Sequence, residues 1–212
     1  MRKLLEGKTA IVTGASKGIG LAIAELYAEE GANVVLTARG KDLLDEVVEK
    51  IRKNGGNAIG VIADSSDPKA PADVFAKAIE TYGQVDIMVN NAGSGDMVAI
   101  EEATDEHFAK IVELNLTGVF RYCREAVNHF LPRNEGRIIN VSSVNGTLPI
   151  CGVAYTSTKG GVNTMTKNIA IRLSGTKIRC NAIAPGVTDT EAAAAWAAGE
   201  QEGGDVIAGI LG

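Results

Sequence analysis

Short, almost wholly apolar runs alternate with longer amphipathic stretches along most of this chain. Thr9-Ala10-Ile11-Val12-Thr13 predicts a first strand. Residues 18–30 then place Ile19, Ile23, Leu26 and Tyr27 on one helical face, with Gly31 positioned to stop the helix. Residues 33–37 predict a second strand and 42–53 a second helix, which Asn54-Gly55-Gly56 ends. A strand over 58–63 and a helix over 68–81 repeat the unit. Strands over 85–89, 136–141 and 177–184 follow, separated by a long helical stretch over 104–130, closed by Pro132, and by a helix over 153–173. Ile11-Val12, Val34-Val35-Leu36 and Ile138-Ile139 are apolar throughout rather than alternating, as in strands covered on both faces. Such alternation implies βαβ units, a parallel sheet and right-handed crossovers. The expected architecture is α/β: a Rossmann-type doubly wound parallel sheet forming a single domain over residues 1–212. The end departs from the pattern, with a helical stretch over 191–198, a polar stretch over 199–204 and a short apolar run over 206–211.

Composition narrows the class. The chain has 212 residues, 45% of them hydrophobic and 22% charged, enough for one globular domain with a sizeable core. A formal net charge of -5 without a long basic run argues against nucleic acid as a main partner. It leaves room for a nucleotide-sized phosphate. No stretch approaches the ~20 apolar residues that span a bilayer. The first residues are basic but lack the apolar centre of a secretory signal. Cys123, Cys151 and Cys180 are scattered and odd in number, so a cytoplasmic setting without a disulfide framework is expected. His107 and His129 lie far apart without ligand spacing, so no metal site is expected.

The first candidate chemistry lies where the first strand hands over to the first helix, at Thr13-Gly14-Ala15-Ser16-Lys17-Gly18-Ile19-Gly20. Gly14 permits a tight turn, Gly18 lets backbone approach a pyrophosphate, and Gly20 lets helix and strand pack closely. The helix then offers free N–H groups and its positive dipole end to phosphate. At the end of the second strand, Ala38 takes the place where an NAD site usually carries an acidic residue, and Arg39 follows. A guanidinium pairs instead with a 2′-phosphate, and Ser16 and Lys17 lie within the same turn. The expected cofactor is therefore NADP(H). Asp64, after the third strand, is a candidate for the adenine edge or for a turn cap ahead of Pro68.

At this point the residues resemble the short-chain dehydrogenase/reductase family, over residues 7–190. The glycine turn matches its T-G-x-x-x-G-x-G; Asn90-Asn91-Ala92-Gly93 its N-N-A-G; Asn115 its helix-borne asparagine. Ser142-Ser143 matches its serine site, Tyr155 to Lys159 its Y-x-x-x-K, and Pro185-Gly186-Val187-Thr188-Asp189-Thr190 the segment beside the nicotinamide. The pattern is similar to 3-oxoacyl-carrier-protein reductases, and also to hydroxysteroid and polyol dehydrogenases. The resemblance implies a ketone/alcohol oxidoreductase, with a substrate that is small or carrier-bound, and a homo-oligomer, tetramer or dimer. It also implies a last strand that the sequence does not supply after 177–184, leaving 191–212 as an incomplete substrate-side segment. A non-catalytic NADP(H)-binding sensor or assembly subunit is the alternative of another class.

The chemistry follows from the residue types. Tyr155 and Lys159 are four apart on a helix and share a face. An ammonium beside the phenol is expected to lower its pKa and ready it for proton transfer with a carbonyl or alcohol oxygen. By resemblance, Lys159 also holds the nicotinamide ribose. Ser143 is the preferred donor to the substrate oxygen, with Ser142 its rival. Asn115 has poor helix propensity within a helical pattern, which suggests a kink or a bound water; by resemblance it supports a proton relay. Asn91, Ala92 and Gly93 let backbone pass close to the cofactor. Pro185 and Gly186 lead to Thr190, the candidate for the carboxamide, with Thr188 its rival. Cys151 and Val153 are candidates for the substrate side, with Asn145 and Ser94 weaker ones. Arg121, Arg124 and Arg133 are the candidate patch for an acidic carrier.

Overall fold

The structure, a computed structural model, describes residues 3–190. The helical stretch expected over 191–198 and the apolar run over 206–211 lie outside the described residues. Among the described residues six strands form one parallel sheet in the order β3-β2-β1-β4-β5-β6. They are β1 (Thr9–Thr13), β2 (Asn33–Ala38), β3 (Asn57–Ile62), β4 (Ile87–Asn90), β5 (Glu135–Val141) and β6 (Lys177–Ile183). The chain moves outward from β1 to β3, then returns to the other side of β1 with β4. Loops after β1 and β4 therefore diverge, opening a crevice at the carboxyl ends of the strands.

Alternate strand positions feed two cores. Ala10, Val12, Val34, Leu36 and Val89 pack with α1 (Gly18–Glu29) and α2 (Lys41–Lys53) on one face. Ile11, Val35, Met88 and Ile138 pack on the other with α3 (Ala70–Tyr82), α5 (Val119–Phe130) and α6 (Val153–Arg172). This two-sided burial accounts for the continuous apolar runs of the central strands. On β6 only Ile178 and Cys180 are buried, while Lys177, Arg179, Asn181 and Ile183 are exposed; it is the sheet edge among the described residues. A polar link crosses the second core: Asn90 Nδ2 donates to Asn140 Oδ1 (2.8 Å), and Asn140 Nδ2 donates to Thr166 Oγ1 (2.8 Å). It joins β4, β5 and α6 beneath the crevice.

The helical stretch expected over 104–130 is present, and its irregularity falls at Asn115. It consists of α4 (Asp105–Val112), a π-helical turn over Glu113–Gly118 and α5. The wider turn admits Asn115, which faces inward and bonds outside its own helix, so the helical ladder opens there.

Candidate functional site

The crevice is a continuous cleft of about 550 Å³ running from Arg39 to Tyr155. At its floor Gly14 and Gly18 hold φ of +64° and +57°. A Cβ on Gly14 would lie 2.9 Å from Ala92 Cα, and one on Gly20 would lie 2.3 Å from the Gly14 carbonyl oxygen. Gly20 thus packs beneath the turn, whereas Gly14, Ser16, Lys17, Gly18 and Ile19 line the cleft. Helix α1 starts without a side-chain cap and without an acidic residue in its first turn. Its positive end is therefore left uncompensated by its own first turn, beside a cradle that side chains would fill.

Thr13, named in the sequence only as part of the motif, laces this turn to β4. Its hydroxyl accepts the N–H groups of Asn91 and Ala92, each at 3.0 Å, and donates to the Val89 carbonyl at 3.3 Å. The Asn91 amide donates to the carbonyls of Thr13 (2.9 Å) and Gly14 (3.1 Å), so it fastens the turn rather than reaching outward. A Cβ on Gly93 would meet Asn115 Oδ1 at 3.1 Å and Lys159 Nζ at 3.8 Å; the glycine makes room for these side chains.

At the far end, Ala38, Arg39, Ala63 and Asp64 line the cleft, and the Arg39 and Lys17 side chains are exposed. Asp64 Oδ1 accepts the main-chain N–H (2.9 Å) and hydroxyl (2.7 Å) of Ser66. Those bonds, aided by the charge of Arg39, hold its carboxyl below the usual range. Asp64 thus fulfils the turn-cap reading and still borders the cleft. Each arginine of the candidate carrier patch has a local contact. Arg121 donates to the Ser66 carbonyl and pairs with Glu113, Arg133 bonds Asp86 and the Val85 carbonyl, and Arg124 lies over Phe120 at 5.2 Å.

At the other end, α6 presents Tyr155 and Lys159 on one face, with Lys159 Nζ 5.5 Å from the Tyr155 ring centroid. Lys159 is buried and donates to the Val141 carbonyl at 2.9 Å. Burial brings its pKa down to about 8. The phenol does not follow the expectation of a depressed pKa. Burial raises it, a side-chain hydrogen bond with Ser143 pulls it back, and Cys151 adds a small rise. The physical reason is that desolvation penalises the phenolate, while the ammonium is turned to Val141.

The two serines separate. Ser142 Oγ donates to the Lys159 carbonyl at 3.2 Å and secures α6. Ser143 meets Tyr155. Both line the cleft. Asn115 lies behind it: its Oδ1 accepts from Ser94 N–H (2.9 Å), and its Nδ2 donates to the Ser94 carbonyl (2.7 Å) and to Thr158 Oγ1 (3.4 Å). Pro185, Gly186, Thr188 and Thr190 form the facing wall, where the Pro185 carbonyl accepts Val144 N–H at 3.0 Å. Thr188 Oγ1 donates to the Gly186 carbonyl (3.3 Å), and the Thr190 methyl lies 3.7 Å from where a Gly18 Cβ would be. Ser94, Asn145, Ile150 and Cys151 border the Tyr155 end, and Val153 is not among the cleft residues.

One residue had no sequence signal. Asp96 is buried after β4, and its carboxylate accepts Tyr155 N–H at 2.8 Å. Tyr155 lies 59 positions away in the sequence, beyond the reach of any local pattern.

The arrangement fits a dinucleotide: a glycine cradle under an uncapped helix end for the pyrophosphate, and a hydroxyl, phenol and ammonium together at the far end. A family model for short chain dehydrogenase matches residues 8–201. Glucose 1-dehydrogenase 2 of Bacillus subtilis is 41% identical over 195 residues, covering 90% of this chain and 76% of that protein. 3beta-hydroxysteroid dehydrogenase 1 of Eggerthella lenta is 42% identical over 189 residues, covering 88% and 72%. A solved structure of actinorhodin polyketide ketoreductase with NADPH superposes with a TM-score of 0.88 at 36% identity, covering 92% of this chain and 76% of that one.

Proposed function

The chain belongs to the short-chain dehydrogenase family, and from that premise we propose that it interconverts a ketone and a secondary alcohol with NADP(H) as its cofactor. Membership makes it an oxidoreductase of CH–OH and C=O groups that takes a nicotinamide cofactor. The observation that carries the finer reading is the meeting of Ser143, Tyr155 and Lys159 at one end of a cleft whose floor holds the glycine turn.

Gly14, Gly18 and the first turn of α1 would hold the pyrophosphate, Arg39 and Lys17 a 2′-phosphate, and Lys159 the nicotinamide ribose. The bound cofactor supplies a hydride to the carbonyl carbon. Tyr155 donates its proton to the carbonyl oxygen, and its raised pKa keeps that proton in place at neutral pH. Ser143 donates a hydrogen bond to the same oxygen as negative charge builds there. Lys159, charged below its pKa of about 8, holds its ammonium on the Val141 carbonyl 5.5 Å from the Tyr155 ring centroid, at the same end of the cleft.

The test is oxidation of NADPH and of NADH against a panel of ketones including 3-oxoacyl thioesters, hydroxysteroid precursors and keto-sugars, with Tyr155→Phe as control. Turnover that depends on Tyr155 and is faster with NADPH supports the reading. Cofactor binding without turnover on any member favours a non-catalytic binding module.

A further inference from the structure

Asn145 sits two residues beyond Ser143 in a 3₁₀ turn over Val144–Gly146, and it is 7% exposed. Its main-chain N–H and its side-chain Nδ2 both point at Ser143 Oγ, at 3.1 and 3.4 Å. Its Oδ1 accepts the N–H groups of Ile150 (3.0 Å) and Cys151 (2.9 Å). The amide orientation follows from these partners, because exchanging Oδ1 and Nδ2 would set an NH₂ group against two backbone donors. The turn has little freedom to shift. A Cβ on Gly146 would lie 2.4 Å from Asn163 Nδ2 and 2.9 Å from the Lys159 carbonyl, so the backbone is pressed against α6.

A serine hydroxyl has two acceptor lone pairs and one proton. Asn145 supplies donors to both lone pairs, so the proton is left to point away from it. Tyr155, whose phenol Ser143 holds below the value burial alone would give, lines the same cleft.

We propose that Asn145 is a positioning residue that fixes Ser143 as a donor toward the substrate oxygen and ties this polarity to the Ile150–Cys151 wall of the cleft. The inference rests on the reading of Ser143 given above. It explains why an amide stands here: one end must donate while the other accepts twice. A carboxylate cannot donate, and an alanine offers neither function.

Asn145→Asp tests the proposal, since it keeps the shape and the acceptor for Ile150 and Cys151 but turns the donor into an acceptor. The serine proton should then be drawn to the new carboxylate. Expected is a fall in kcat of roughly 100-fold, as for loss of one preorganised donor, with NADPH affinity within about twofold. In a Ser143→Ala background the same change should cost little more, because the misdirected proton is gone. An equal loss in both backgrounds would overturn the proposal. If Asn145→Asp does not fold, Asn145→Ala serves in the same cycle.

Failure of the catalytic reading is a separate outcome, seen as no ketone turnover by the unmodified protein. In that event the phenol of Tyr155, followed by NMR of ¹³C-labelled tyrosine and assigned with Tyr155→Phe, still decides. Its titration should move upward in Asn145→Ala, by less than in Ser143→Ala because the main-chain N–H of residue 145 remains, and no further in the double variant than in Ser143→Ala alone. An unmoved titration would overturn the proposal.

Discussion

The carboxylate of Asp96 accepts the main-chain N–H of Tyr155 at 2.8 Å, so the helix that carries the phenol is capped by a residue from the loop after β4. Tyr155 is the third residue of α6, where N–H groups lack helical partners. Asp96 also accepts from Val98 N–H at 2.9 Å, and its own carbonyl accepts Gly152 N–H at 2.9 Å. A negative charge here also suits the positive helix end. Asp96→Ala is expected to cost about 1–2 kcal/mol of stability and to lower kcat more than NADPH affinity. A Cβ on Gly152 would lie 1.9 Å from Asp96 Oδ1, so Gly152→Ala should displace the same carboxylate. Thermal unfolding of the two single variants and the double variant checks this. Fully additive losses would show that the two residues act separately.

The two neighbouring serines should fail in different ways. Ser142 holds the Lys159 carbonyl and Ser143 meets the phenol. Ser142→Ala should therefore cost stability, about 1 kcal/mol, with kcat little changed. Ser143→Ala should lower kcat by about 100-fold or more with an almost unchanged melting midpoint. Steady-state kinetics beside thermal melts separates the two. The reverse assignment of losses would move the catalytic role to Ser142.

Lys159 is expected to trade stability for function. Burial brings its pKa from 10.5 to about 8, so between those values the folded state binds fewer protons than the unfolded state. Stability contributed by this group therefore rises with pH through that window, and the penalty is greatest below pH 8. Its ceiling is about 3 kcal/mol, offset in part by the bond to Val141. Lys159→Met should raise the melting midpoint by a few degrees at neutral pH, with the gain shrinking as pH climbs above 8, and should abolish turnover. Melts across this range, with a kinetic assay, check it. A gain over the unmodified protein that is absent at neutral pH, or that grows as pH climbs above 8, would contradict the sign.

The sheet was legible because its signal is local. The central strands are apolar on both faces, and the glycine turn sits between a strand and a helix that each announce themselves. Asn115 gave a clue through its poor propensity, although the π-helical turn that absorbs it does not follow from a helical period. The phenol departs from the sequence expectation because spacing reports charge proximity, whereas desolvation depends on what the rest of the fold places around Tyr155. Asp96 and Asn145 act through backbone N–H groups, which carry no side-chain identity. Nothing in the sequence marks such a donor as a partner.

Arg39 should decide the choice of cofactor. It follows β2 directly, its side chain is exposed at the end of the cleft, and Lys17 stands exposed in the glycine turn. Asp64, which also lines this end of the cleft, follows β3 rather than β2 and turns one oxygen to Ser66. A 2′-phosphate placed here would meet positive charge, while a bare 2′-hydroxyl would find no carboxylate from β2. NADPH should therefore be used ahead of NADH, and its KM should rise with ionic strength because exposed charges are screened. Arg39→Asp should cut kcat/KM for NADPH by roughly 10- to 100-fold, the worth of one charged hydrogen bond. It should improve NADH by offering its ribose an acceptor. Parallel kinetics with both cofactors at low and high salt make the comparison, and equal use of the two by the unmodified protein would remove the basis for assigning this phosphate to Arg39.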